Sequence, residues 1–322
     1  MVQKVVVCGA GFLGSYIARA LAKETTVKTP RHIQLTSRKP NKALYDSLRN
    51  DIGKEKSLSF VPADVTKPDT LERAFEGAKV VISLVGIMHA TPEMFEAVQW
   101  KGAVNVAAAA KAHGAKVIHI SAIGADEISQ IPYAKTKALG EKTVKQICPD
   151  ATIIRPSLIF GPGDGFFARF GTLSKFLPFM PVFGGGKTRF QPVYAGDVAR
   201  AVEIASRMED QNAMKATNGK FFEAGGPDIF TYKEMMQLIL RHTGRSRPIV
   251  SLPYSVGKVQ GFIFEKLPPN ILTLTRDQVE QLKTDNIVSD YRGVGYASFA
   301  QLLDQFGAGP LTKLEATLPK YL

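Results

Sequence analysis

Short runs of β-branched and other apolar residues recur through the first half of the chain, at Val5–Val7, Ile33–Thr36, Leu58–Val61, Val80–Val85, Val117–Ser121 and Thr152–Arg155. Stretches with apolar residues at helical spacing separate them, near 12–23, 41–52, 68–76, 94–112 and 133–147. The strand runs are mainly apolar, with few polar interruptions such as Gln34, Ser59 and His119, as in a parallel sheet covered by helices on both faces. Strand alternating with helix therefore predicts an α/β fold, a Rossmann-type doubly wound parallel sheet. After residue 156 the rhythm breaks. Residues 1–156 form the expected sheet core. Residues 157–322 read as a mixed region that partly completes the core, over about 191–225, and partly builds a smaller C-terminal α/β lobe.

Two features of that second region follow from pattern alone. Residues 160–190 hold eight of the 19 phenylalanines, at 160, 166, 167, 170, 176, 179, 183 and 190, among Gly163, Gly165, Pro178, Pro181 and the run Gly184–Gly186. Such a segment reads as a lid for an apolar substrate, a membrane-facing or docking patch, or plain core of the smaller lobe. Farther on, Tyr232–His242 reads as a helix opened by a Thr231/Glu234 capping box and ended by Gly244. Ser255–Leu267 reads as an amphipathic helix carrying Val256, Val259, Phe262, Ile263 and Leu267, with Lys258 and Lys266 beside them. It would lie on a membrane or a partner, or, more commonly, pack on its own lobe.

Glycine placement gives the first candidate chemistry. Val5–Val7 runs into Cys8-Gly9-Ala10-Gly11-Phe12-Leu13-Gly14 and then a helical pattern, so strand, tight turn and helix follow one another. Gly9, Gly11 and Gly14 fit GxGxxG. In that motif the glycines turn the backbone, admit a pyrophosphate and let helix meet strand. The helix N-terminus, with Phe12 and Leu13, offers free N–H groups and a partial positive charge to the phosphates. The second strand ends at Ser37-Arg38-Lys39 without the acidic residue that would bond the ribose of NAD(H). Two cations and a hydroxyl suit a 2′-phosphate, so NADP(H) is expected over NAD(H). Asp64 and Val65 follow the third strand, where a carboxylate can reach an adenine amino group. Val85 and Gly86 follow the fourth, where small residues let a ribose approach the backbone.

Bulk properties narrow the class. The net charge is +12, from 41 basic and 29 acidic residues, yet no nucleic-acid motif is present. Residues 28–56 concentrate eight cations (Lys28, Arg31, Arg38, Lys39, Lys42, Arg49, Lys54 and Lys56) against three acids, which fits a phosphate ligand. No apolar stretch reaches the ~18–20 residues of a membrane span, and no signal or transit peptide is visible. Cys8 and Cys148 make no CxxC pair, which suits a reducing compartment. The five histidines lack metal-ligand spacing, so no metal site is expected. His119, inside an apolar run, reads as a satisfied core histidine.

Ser121 ends the fifth strand, and Tyr133 and Lys137 stand at i and i+4 on one helical face beyond it. Together with the glycine turn and the phrase Arg155-Pro156-Ser157-Leu158-Ile159-Phe160-Gly161-Pro162-Gly163-Asp164, they resemble the extended or atypical short-chain dehydrogenase/reductases over essentially the whole chain. Finer phrases resemble the branch that holds the NADPH-binding accessory subunit of respiratory complex I and related quinone-biosynthesis proteins. These are Ile123-Gly124-Ala125-Asp126, Gln191-Pro192-Val193-Tyr194-Ala195-Gly196-Asp197-Val198, Leu274-Thr275-Arg276-Asp277-Gln278-Val279 and Leu318-Pro319-Lys320-Tyr321-Leu322. One departure is Cys8, which stands where that branch usually has the first Gly of GxxGxxG.

The resemblance implies a catalytic Ser121, Tyr133 and Lys137, with Tyr133, Lys137 and Pro156 also against the cofactor. Phe166, Phe167, Arg189, Gln191 and Tyr194 would line a substrate or partner site. The tyrosine would act as acid/base after lowering from ~10, which needs about 4 kcal/mol. An ammonium ~4 Å away at an effective dielectric near 20 supplies about that. The function implied is an NADP(H)-binding protein of a membrane-associated respiratory or quinone-biosynthesis complex, with the nucleotide structural. The alternatives are an active reductase of a small apolar carbonyl or quinone, or a nucleotide-sugar epimerase/dehydratase. The implied location is the matrix side of the inner mitochondrial membrane in a eukaryote. In a bacterium it is the cytoplasm or the inner-membrane periphery.

Overall fold

The computed structural model describes residues 2–23, 29–39, 41–53, 57–266, 268, 270–290 and 293–322. Lys28, Lys54, Lys56 and Leu267 lie outside the described residues. The chain divides into two units. The first holds Met1–Pro156, Ala195–Ala224 and Asp290–Pro310, and the second holds Ser157–Tyr194, Gly225–Ser289 and Leu311–Leu322.

The first unit is built on one eight-stranded sheet. Its strands are β1 (Gln3–Cys8), β2 (Arg31–Ser37), β3 (Ser57–Pro62), β4 (Ala78–Ser83), β5 (Lys116–Ile120) and β6 (Thr152–Pro156), followed by Phe221–Ala224 and Tyr296–Ser298. In space β3, β2, β1, β4, β5 and β6 succeed one another, and Phe221–Ala224 and then Tyr296–Ser298 extend the far edge. Every pairing is parallel. Reversal of strand order beside β1 is the switch point at which such sheets open a crevice at their carboxyl ends. The expected doubly wound sheet is therefore present. β4 stops at Ser83, so Leu84 and Val85 leave the sheet and turn into that crevice.

Both faces are covered. Val5, Val6 and Val7 are fully buried. On one face Val6, Val81 and Val117 pack under Leu71, Phe75, Val106 and Ala110. These come from α3 (Pro68–Phe75) and α5 (Gly102–Ala112). The crossover from β4 opens with α4 (Pro92–Phe95) and one wide π-type turn, Glu96–Lys101, before α5. On the other face α1 (Phe12–Lys23) packs on the helix Ala195–Ala205. A buried triad of charges ties this layer down: Glu203 pairs with Arg31 at 2.8 Å and with Arg207 at 2.7 Å. Among the described residues the first unit also holds α2 (Lys42–Ile52), α6 (Pro132–Ile147) and the helices Gln211–Thr217 and Phe299–Gln305.

The second unit has its own core, made by Phe160, Phe167, Met180, Val182, Met235, Met236, Ile239 and Leu318. Most of the phenylalanine-rich segment belongs to that core. Phe160 and Phe167 are fully buried, and Phe166 stacks on Phe167, Phe170 and Tyr232. Phe176 and Phe179 are the departures, standing 77% and 36% exposed. Asp164 organises the turn before these rings: its buried carboxylate accepts the N–H groups of Gly161, Phe166 and Phe167 and the hydroxyl of Tyr321.

The helix Tyr232–His242 has the expected capping box. The helix Tyr254–Phe264 does not pack its apolar face on its own lobe, the commoner of the two expected outcomes. Val256, Val259, Phe262 and Ile263 are exposed, and Gly257 and Gly261 are the buried face. Close approach decides this: a Cβ at Gly257 would sit 2.7 Å from the Phe183 ring, and one at Gly261 2.7 Å from the Arg276 nitrogen. Among the described residues no helix is long and apolar enough to cross a membrane.

Candidate functional site

The glycine turn forms because β1 must hand over to α1 within a few residues. Gly9 adopts φ +132°, a conformation side chains resist. Gly14 has no room for a Cβ, which would stand 2.1 Å from the Gly9 carbonyl oxygen. A Cβ on Gly11 would meet nothing within 4 Å. Gly9 and Gly14 therefore hold the turn closed, and Gly11 keeps its outer side clear at the N-terminus of α1, beside Phe12 and Leu13. Cys8 closes β1 as a buried thiol that burial pushes up to about 11, so it is inert.

A cleft of about 140 Å³ opens beside this turn. Gly9, Ser37, Arg38, Asp64, Val65, Val85 and Gly86 all line it. These expected residues come from the ends of β1, β2, β3 and β4. The Ser37 hydroxyl donates to the Lys39 carbonyl at 2.7 Å, which shapes the loop carrying the exposed Arg38 and Lys39. Asp64 accepts from the backbone and hydroxyl of Thr66. Burial works against its charge, but those hydrogen bonds with Arg38 and Lys67 nearby hold the carboxyl below its usual range. Of the other expected cofactor residues, Gly11, Phe12, Leu13, Gly14, Lys39, Tyr133 and Lys137 are not on the cleft wall, and neither is Pro156, which accepts the Ile123 N–H at the end of β6. A dinucleotide fits this set: a clear helix N-terminus, an open glycine face and a cation without a carboxylate at the end of β2.

Ser121, Tyr133 and Lys137 belong to the same unit. Lys137 is buried and donates to the Val85 carbonyl at 2.8 Å and to the Ile120 carbonyl at 3.2 Å. Burial lowers its ammonium to about 8, against the opposing pull of Glu141. Tyr133 stacks edge-on against Phe95, and burial pushes its phenol up to about 12. The Lys137 ammonium donates to carbonyl oxygens rather than to the Tyr133 hydroxyl. Ser121 has a buried Oγ with no partner.

Sequence reasoning missed Gln99 and misjudged His119. Gln99, on the wide turn after α4, donates to Thr136 at 3.2 Å and leaves its Oε1 buried and unpartnered. A Cβ on Gly86 would touch Lys137 Nζ at 3.2 Å and Gln99 Oε1 at 3.6 Å, so that glycine admits both groups to one place. His119 bonds Ser83 through Nδ1 at 3.1 Å, but its Nε2 is buried without a partner. Burial and the nearby Lys137 lower it to about 3, so it stays neutral. Ser121, Gln99 and His119 thus contribute three unpaired polar atoms, a concentration that marks a site rather than a finished core.

The other expected residues lie in the second unit. Phe166 and Phe167 are core. Arg189 pairs with Asp285 at 2.7 Å. Gln191 bridges two backbones, donating to Gly226 O at 2.8 Å and accepting from Val288 N at 3.0 Å. Tyr194 packs on Phe160. Among the described residues no group of three or more His, Cys, Asp or Glu is placed to hold a metal ion.

The model of the NAD dependent epimerase/dehydratase family matches residues 5–218. The chain is 32% identical to NADH dehydrogenase [ubiquinone] 1 alpha subcomplex subunit 9 of Arabidopsis thaliana, a mitochondrial protein, over 87% of this chain and 69% of that one. It is 30% identical to the ceramide reductase of Caulobacter vibrioides over 77% and 73%. In fold it is similar to the triphenylmethane reductase of Citrobacter sp., solved with NADP(H), with a TM-score of 0.70, 17% identity and coverage of 99% of this chain and all of that one.

Proposed function

As this chain belongs to the NAD dependent epimerase/dehydratase family, we propose that it binds NADP(H), in preference to NAD(H), in the cleft beside Gly9–Gly14. We further propose that it serves as a nucleotide-binding accessory subunit of respiratory complex I at the matrix side of the inner mitochondrial membrane. The observation that carries the reading is the 32% identity to a mitochondrial NADH dehydrogenase subunit across 87% of the chain. The NADP(H) preference is supported by Arg38, which lines the cleft at the end of β2 where an NAD(H) site would carry a carboxylate. Bound there, the nicotinamide ring would offer a hydride donor or acceptor. Lys137 would hold its ribose with the one N–H that Val85 and Ile120 leave over. The Lys137 ammonium is held by the Val85 and Ile120 carbonyls rather than by the Tyr133 hydroxyl, which supports a structural role for the nucleotide.

A second reading is reduction of a long apolar carbonyl compound. It is favoured by the ceramide reductase relative and by Ser121 Oγ, a buried hydroxyl ready to donate to a carbonyl. Extraction from the native source in gentle detergent, a native gel and a blot for this chain separate the two. Migration with a large respiratory assembly is expected. Migration with a quinone-synthesis assembly would reassign the partner. A small soluble species that turns over NADPH on apolar carbonyls, and loses turnover on Tyr133→Phe, would establish the reductase.

A further inference from the structure

A recess of about 500 Å³ in the second unit lies outside every residue discussed for the dinucleotide. Its walls carry four cations, Lys233, Arg241, Arg245 and Arg247, and no acidic residue lines it. Two local rules bring them together. Lys233, Gln237 and Arg241 stand at i, i+4 and i+8 on the helix Tyr232–His242, forming one stripe about 12 Å long. The helix then ends in a Schellman turn: Gly244, at φ +65°, donates to Arg241 O, and Arg245 donates to Leu240 O at 2.9 Å. That turn folds Arg245-Ser246-Arg247 back across the last helical turn beside Arg241.

Seven arginines elsewhere pair with carboxylates: Arg19, Arg31, Arg155, Arg189, Arg200, Arg207 and Arg276. Among the described residues none of the four cations of the recess has an ion-pair partner. The Nε atoms of Arg245 and Arg247 are sealed from solvent with nothing to donate to. Helix capping explains Arg241, a cation at a C-terminus, but not Lys233, which sits in the first turn where the dipole opposes it. Four converging cations repel one another unless an anion joins them. Leu240 and Ile249 give the recess an apolar floor.

We propose that this recess is a second anion site, which binds a phosphate ester: the phosphate meets the forked guanidinium groups and the attached carbon rests on Leu240 and Ile249. The chemistry is shared by free organic phosphates and by the headgroups of anionic lipids.

The test uses the whole chain with saturating NADPH, so that the glycine turn does not compete. Inorganic pyrophosphate is titrated by calorimetry. Flotation is measured with phosphatidylcholine vesicles with and without phosphatidic acid. The variants are Arg241→Glu, at an exposed position and with folding checked by its melting temperature, and Arg245→Gln. Pyrophosphate binding that weakens roughly tenfold or more in both variants supports a free phosphate as the ligand. Flotation that requires phosphatidic acid and is lost in Arg241→Glu supports a lipid headgroup. Binding or flotation unchanged in a folded Arg241→Glu protein, or absent from the unaltered protein with both probes, overturns the site.

Discussion

The ammonium of Lys137 stands 2.8 Å from the carbonyl oxygen of Val85, the second residue after β4 ends. This single hydrogen bond joins the helix that carries Tyr133 to the loop that walls the dinucleotide cleft. Lys137→Met would leave the Val85 and Ile120 carbonyls without a donor. Such a loss costs roughly 1–3 kcal/mol, offset in part because a buried charge goes with it. The pH dependence is the sharper test. Folded Lys137 releases its proton near 8, and the unfolded side chain near 10.5. Between those values the unfolded chain binds more protons, so stability due to this residue rises with pH. Urea denaturation should show the native protein gaining on Lys137→Met from about pH 8 to 10.5.

Gly11 and Gly14 should respond oppositely to the same added methyl. Gly14→Ala forces a Cβ to 2.1 Å from Gly9 O, a backbone atom that cannot swing aside. It should cost about 3 kcal/mol or more and lower the melting temperature accordingly. Gly11→Ala meets no protein atom within 4 Å. It should melt as the native protein does while dinucleotide affinity drops about tenfold or more, because the methyl occupies the pyrophosphate side.

Arg38 should decide between the two nucleotides. Arg38→Asp replaces the cation on the cleft wall by the carboxylate of an NAD(H) site. Loss of a charge-assisted contact weakens NADPH binding by roughly 1.5–3 kcal/mol, tenfold or more. NADH binding should hold or improve, as measured by quenching of protein fluorescence.

The pair Arg155 and Glu141 should behave as a buried ion pair. Arg155 Nη2 bonds Glu141 Oε2 at 2.5 Å, and its guanidinium lies over the stacked rings of Phe221 and Tyr296. Glu141→Ala strands a cation that is only 18% exposed and should cost about 3–5 kcal/mol. Arg155→Met with Glu141→Leu should recover part of that in chemical denaturation, since the two charges leave together while Tyr296 and Glu223 lose their contact with the guanidinium.

What could be read from the sequence depended on how local the cause was. The β1–turn–α1 unit and the Thr231/Glu234 capping box are written in residues a few positions apart, and both appear as expected. The sheet was legible because strands buried on both faces are mainly apolar, although Gln34, Thr36 and His119 are buried polar exceptions. The contact of Arg155 with Tyr296 spans 141 positions and has no local signal. Gln99 enters the site only because a π-type turn re-aims one turn of the crossover helix, and nothing in Glu96–Lys101 announces it. The phenylalanine segment was ambiguous because a core ring and a lid ring are the same residue. For the helix Tyr254–Phe264, apolar periodicity marked a face that stands exposed, while two glycines, silent in the periodicity, make the buried face by a backbone approach that larger side chains forbid. Lys137 was legible as a residue at i+4 from Tyr133, but not its hydrogen bonds to two carbonyls.

Equilibrium titration of the purified chain with NADPH and with NADH, on the native protein and on Gly11→Ala, tests the central claim most directly. Saturable NADPH binding, tighter than NADH and weakened about tenfold or more in a fully folded Gly11→Ala protein, is the predicted result. Absence of binding of either nucleotide to the folded native protein, or binding that Gly11→Ala leaves intact, would contradict the assignment of the cleft.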